Sequence, residues 1–123
     1  MRSKMTILIL GLLALFFAAC RTTATAPVSA QTSTVLQPGQ SHEDCIELTE
    51  SNVLTYTFTS SAPVDFNIHY HEGDKVTYPV QKSNITSDTG SFTPDRKAVY
   101  CLMWTNNGTE PANISYTSHA VPK

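Results

Sequence analysis

Between residues 63 and 80 the chain alternates strictly. Val64, Phe66, Ile68 and Tyr70 fall on every second position, with Asp65, Asn67, His69 and His71 between them. A period of two puts the two sets on opposite faces of a β-strand. The register is firm, because a slip of one residue would expose four large apolar side chains and bury an acid, an amide and two imidazoles. The apolar set therefore predicts a core face, and the polar set, with His69 and His71 side by side, an exposed one. Gly73 and Asp74 interrupt the pattern with turn-tolerant residues before Val76, Tyr78 and Val80 resume it, which predicts a hairpin. Pro79 has no amide hydrogen, so the return strand is expected at a sheet edge.

The same signal, weaker, recurs on both sides. Residues 42–48 predict a short first strand containing Cys45 and Ile46, with Glu47 toward solvent. Residues 53–59 predict a stronger one, since Leu54, Tyr56 and Phe58 alternate with Thr55, Thr57 and Thr59. Ser60, Ser61, Ala62 and Pro63 predict a turn into the hairpin. The polar run 81–90 predicts a loop, and residues 91–93 a short strand ended by Pro94 and Asp95. The run AVYCLMWT over 98–105 is apolar on both parities and predicts a central strand; Asn106, Asn107 and Gly108 then predict a turn, and residues 114–117 a last strand. No sustained helical period appears beyond the first residues. The expected fold is all-β, one small antiparallel domain.

The beginning of the chain changes the picture. Arg2 and Lys4 precede an apolar run over 5–19 that is short for a membrane span and has the layout of a signal peptide. Its end, Phe17-Ala18-Ala19-Cys20, resembles the lipobox of bacterial lipoproteins, in which small residues precede a cysteine that is diacylated and becomes the first residue after cleavage. The resemblance implies lipidation at Cys20, a membrane partner through that lipid, and a place in the bacterial cell envelope. Arg21 rather than Asp after the cysteine points to the outer membrane if the host is Gram-negative. A competing reading is a secreted protein cut after Val28-Ser29-Ala30. On the lipoprotein reading residues 1–19 are signal peptide, 20–38 a lipidated flexible tether too poor in large apolar groups to order itself, and 39–123 the β-sandwich domain. Loss of Arg2 and Lys4 leaves six basic against ten acidic side chains, and no basic cluster is present, so nucleic acid is not an expected partner.

With Cys20 lipidated, Cys45 and Cys101 remain as a pair in an oxidising compartment, where a disulfide is expected over two separate thiols. Taken with Cys45, the strand Val64-Asp65-Phe66-Asn67-Ile68, then Gly90-Ser91-Phe92, Tyr100-Cys101 and Trp104-Thr105-Asn106, the domain resembles the GOLD domain of early secretory cargo receptors. The resemblance spans about 45–116. It implies a jelly-roll-like sandwich and a binding rather than catalytic role. The coiled coil, transmembrane helix and cytosolic tail of those receptors have no counterpart here, so their trafficking function does not carry over.

The chemistry on offer is sparse. His69 and His71 project from one strand face, with Glu72 and Asp74 in or beside the turn beyond, and two such imidazoles could hold Zn²⁺ or Cu²⁺ given a third ligand. His42, His119 and Met103 are the candidates for that ligand; two solvated histidines and no cofactor are the plain alternative. Trp104 reads either as a stacking platform or as core. The many Ser and Thr residues form no nucleophile-elbow pattern, so no enzyme is expected. Three Asn-x-Ser/Thr sites begin at Asn84, Asn107 and Asn113 and would carry glycans only in a eukaryote. The expected function is non-catalytic recognition of a protein or envelope ligand, with a periplasmic metal-binding lipoprotein as the alternative.

Overall fold

A computed structural model describes residues 30–123. Six strands, all paired antiparallel, build it: β1 (Thr32–Leu36), β2 (Ser41–Leu48), β3 (Asn52–Glu72), β4 (Lys75–Phe92), β5 (Ala98–Thr105) and β6 (Ala112–Pro122). The fold is all-β, a curled sheet doubled over into a small sandwich.

β3 organises the fold because it belongs to both layers. Its first half pairs with β6, from Asn52 opposite Pro122 to Ser60 opposite Ile114. Its second half pairs on the same side with β5, from Asp65 opposite Thr105 to Tyr70 opposite Tyr100. β4 follows β3 along its other side through both halves, with register shifts between Thr59 and Val64, Val64 and Phe66, and Ile68 and Tyr70. One layer is thus β1, β6, early β3 and late β4; the other is β2, β5, late β3 and early β4. Residues 60–63, expected as a turn, instead bend a continuous strand from one layer into the other.

The alternation foreseen for residues 64–70 sets the core. Leu54, Tyr56, Phe58, Val64, Phe66, Ile68 and Tyr70 of β3 are all buried, as are Tyr100, Leu102 and Trp104 of β5 and Ile114 and Tyr116 of β6. Phe58 from the first layer meets Trp104 from the second edge-on at 5.7 Å, and Tyr116 lies 4.4 Å from the Trp104 ring. Trp104 is therefore core and no ligand platform. Offset and tilted aromatic contacts of this kind add about 0.5–1.5 kcal/mol per pair to area burial.

Two elements were not foreseen. β1 lies within 20–38, the span expected to be a tether. Its Ser and Thr residues suit an exposed pleat, Leu36 is a single apolar anchor at 3 % exposure, and Asn106, itself fully buried, donates from Nδ2 to Leu36 O at 3.0 Å. Residues 81–90, expected as a loop, continue β4, because Ser and Thr on the solvent side pair with like residues of β3: Thr57 Oγ1 and Thr89 Oγ1 lie 2.7 Å apart. The irregularity signalled by the polar run is concentrated at Asn84, with φ +57°. The hairpin itself is as expected, with Gly73 and Asp74 between the pair Glu72 and Lys75 and a positive φ at Gly73. β4 pairs only with β3 among the described strands, which puts Pro79 on an edge.

Candidate functional site

The two layers present outer faces of different chemistry. On the first, Ser33, Ser115, Thr117, Thr55, Thr57, Thr59 and Thr89 form a carpet of hydroxyls. Several bond to one another or to their neighbours, Ser33 to Ser115 at 2.9 Å and Thr55 to His119 Nε2 at 2.9 Å among them. The second face is built in rows by strand register. His69 lies opposite Cys101 and Cys101 opposite Cys45; Asn67 lies opposite Met103 and Met103 opposite Glu43; Val99 pairs with Glu47. Tyr78 of β4 extends the first row, its ring 5.5 Å from that of His69.

Cys45 and Cys101 are bonded to each other across β2 and β5, with a Cα–Cα distance of 4.0 Å and a sequence separation of 56. The chain-entropy model allows about 4 kcal/mol for closing a loop of that length. The bridge lies on the outer face, away from the aromatic core, with Cys45 exposed and Cys101 buried.

His69 and His71 do share a face, with ring centroids 5.3 Å apart. They do not share an environment. His71 is exposed, whereas His69 is only 3 % exposed, which corrects the expectation that both face solvent. Alternation fixes the side of the sheet and not the depth: Tyr78 and Cys101 flank His69 on either strand and cover it, while His71 lies nearer the hairpin end. Asn67 Oδ1 accepts a hydrogen bond from His69 Nδ1 at 2.8 Å. That places the ring hydrogen on Nδ1 and leaves the Nε2 lone pair toward Glu43, whose Oε1 is 3.5 Å away. Burial pulls the His69 pKa down, Glu43 partly offsets this, and His71 adds to it.

The rest of the expected metal set is dispersed. Glu72 follows Tyr70 on the opposite strand face and takes Arg96 Nη1 at 2.6 Å, with the Arg96 guanidinium 5.4 Å above the Tyr70 ring. Asp74 is exposed in the turn. His42 bonds Tyr116 Oη through Nε2 at 2.9 Å and stacks on Trp104, which ties it to the core side of β2. His119 belongs to the hydroxyl face. Of the three proposed third ligands only Met103 is on the right face. The carboxylate that does approach is Glu43: one donor atom each from Glu43, His69 and Cys101 lie within 4.8 Å of one another. Glu43 could have been found in the sequence, since it stands two residues before Cys45 and so shares its face. Cys20 lies outside the described residues.

A second polar feature surrounds the bend of β3. Asp65 accepts from Asn84 N at 2.9 Å through one oxygen and from Asn107 Nδ2 at 2.7 Å through the other. It lines two adjoining grooves of about 300 and 330 Å³. Asn113 N donates to Ser61 Oγ in the same bend at 2.8 Å, so all three Asn-x-Ser/Thr asparagines brace the joint between layers.

No family model matches this chain, and none supports the resemblance to the GOLD domain. No curated protein matches it either. Among solved structures, a periplasmic inhibitor of g-type lysozyme, PliG of Aeromonas hydrophila, is 13 % identical, covering 74 % of this chain and 86 % of its own, with a TM-score of 0.49. A de novo designed double-stranded β-helix is 12 % identical, covering 74 % of this chain and all of its own, with a TM-score of 0.43. Neither likeness bears on what this chain does.

Proposed function

We propose that this chain is a lipid-anchored, non-catalytic binding protein of the bacterial cell envelope, held at the membrane through Cys20 and facing the periplasm or the cell exterior. Its recognition surface is the outer face of the layer formed by β2, β5, late β3 and early β4, and its ligand is a protein. The observation that carries this reading is the contrast between the two outer faces. One is a hydroxyl surface whose groups largely satisfy one another. The other gathers Tyr78 at 46 % exposure and Val99 at 52 %, together with Met103, His71 and the disulfide. Aromatic, methionine and aliphatic groups brought together on a rigid sheet are what interface cores use, whereas the hydroxyl face carries one exposed aliphatic side chain, Val35, at its β1 edge.

A photoreactive phenylalanine analogue placed at Val99 and, separately, at Thr117 tests the assignment in living cells. Position 99 is expected to yield a discrete protein adduct on illumination and position 117 none. Equal labelling at both positions, or labelling at 117 alone, would remove the support for this face.

A further inference from the structure

We propose that Cys45, Cys101, His69 and Glu43 form a reduction-gated metal site, one that takes Zn²⁺ when the Cys45–Cys101 bond is opened. The site goes beyond the protein-binding reading and does not depend on it.

In the bridged state only two of these residues can ligate well. Metals take the thiolate, and a disulfide sulfur carries no charge to offer. His69 Nε2 and Glu43 alone fall short of the four donors of a closed zinc site. Opening the bridge adds two thiolates without moving any strand, since both sulfurs already belong to the same row of the sheet as His69. The result is a Cys₂-His-carboxylate set, with sulfur and imidazole donors that suit Zn²⁺ over Mg²⁺ or Ca²⁺. Zinc bonds of about 2.0–2.3 Å in a tetrahedron put donors about 3.3–3.8 Å apart. The donor atoms of Glu43, His69 and Cys101 lie within 4.8 Å of one another and Cys45 Sγ is bonded to that of Cys101, so rotation of the two side chains freed from the bridge has to close the difference.

Two further features fit a metal site. Asn67 holds the His69 ring by Nδ1 and leaves Nε2 for the ion, which is the arrangement that orients ligating histidines elsewhere. And the bridge is accessible from one side only: Cys45 is exposed, Cys101 is 7 % exposed.

That asymmetry orders the chemistry, for which the co-reactant is a dithiol. Its thiolate attacks Cys45 Sγ, the Cys45–Cys101 bond breaks, and the electron pair leaves on Cys101 Sγ beside His69. The second thiol of the reductant, after losing its proton, attacks the reductant sulfur of the mixed disulfide and expels the Cys45 thiolate. The dithiol is oxidised by two electrons to its disulfide, two protons pass to solvent, and the protein holds two thiolates for the ion.

The test uses the full chain carrying Cys20→Ser, so that no third thiol contributes. It is titrated with Zn²⁺ alone against a chromogenic chelator, oxidised or after dithiothreitol treatment and anaerobic desalting, with far-UV circular dichroism recorded in both states. The reduced chain is expected to keep its β signal and bind one ion on the order of 100-fold more tightly than the oxidised chain. Adding Asn67→Ala should weaken the reduced site by about 10-fold. A Cys45→Ser variant, whose Cys101 is free without any reductant, should bind more tightly than the oxidised chain and less tightly than the reduced one. Equal affinity in both redox states would overturn the proposal. So would loss of the β signal on reduction, or a His69→Gln variant whose reduced form binds as well as the parent, which would reduce the site to a bare dithiol.

Discussion

His69 departs furthest from what its position in the pattern implied. Its side of the sheet followed from the alternation with Phe66, Ile68 and Tyr70, but its burial came from Tyr78 and Cys101 on neighbouring strands, and no local pattern encodes which strands those are. For the same reason Asn67 and Glu43 were passed over: each is ordinary in the sequence and acquires a role only when strand register brings it beside the imidazole. The burial has a consequence for stability. His69 is harder to protonate in the folded chain than in the unfolded one, so below the unfolded value of about 6.5 the unfolded state binds more protons. The His69 contribution is complete above that pH and is lost as pH falls through the lower folded value. We predict that the urea midpoint declines between pH 7 and pH 5, and that His69→Gln makes the decline shallower. Parallel pH profiles for the two proteins would show that His69 is not the group responsible.

At the scale of elements, the strands with large alternating side chains were legible and those built from hydroxyls were not. β5 follows its predicted span, and the hairpin turn falls at Gly73 and Asp74. β1 and the middle of β4 escaped because Ser, Thr and Asn read equally well as loop, and only pairing with an already formed neighbour makes them strands. Gly90 illustrates how such a stretch is nonetheless specified. Tyr56 lies across its backbone to donate from Oη to Asp88 Oδ2 at 3.0 Å, and a Cβ at position 90 would come within 2.6 Å of that hydroxyl and 2.8 Å of the ring. Burial and Asp88 push the Tyr56 hydroxyl up to about 12. Burial alone would raise Asp88, but Lys82 and Tyr56 outweigh it and hold the carboxyl low, with Lys82 Nζ at 2.6 Å. We predict that Gly90→Ala costs about 1–3 kcal/mol in chemical denaturation, the usual range for forcing extra volume against a packed ring. An unchanged midpoint would mean the Tyr56 ring moves aside freely.

At the scale of the whole molecule, the all-β class was foreseen from the alternation and the sandwich from the family resemblance, whereas the sharing of β3 and β4 between both layers was not. A bend at 60–63 and a turn there carry the same residues, and whether the chain reverses or continues depends on where β6 and β5 dock. The proposed anchor also belongs to this scale. We predict that Cys20→Ser shifts the protein from the membrane fraction to the soluble fraction or leaves it unprocessed; a variant still processed and still extracted only by detergent would exclude lipid at Cys20. If the anchor holds one end, the bridge acquires a mechanical meaning. β1 and β6 lie wholly outside the loop it closes and pair with each other, while β3 and β4 lie wholly within it. Tension applied at the two ends can peel and straighten the outer strands, but the bond withholds a separation of 56 residues, about 190 Å of contour at the extended rise of the backbone. Once pulled open, the same chain is therefore a short leash when oxidised and a long one when reduced.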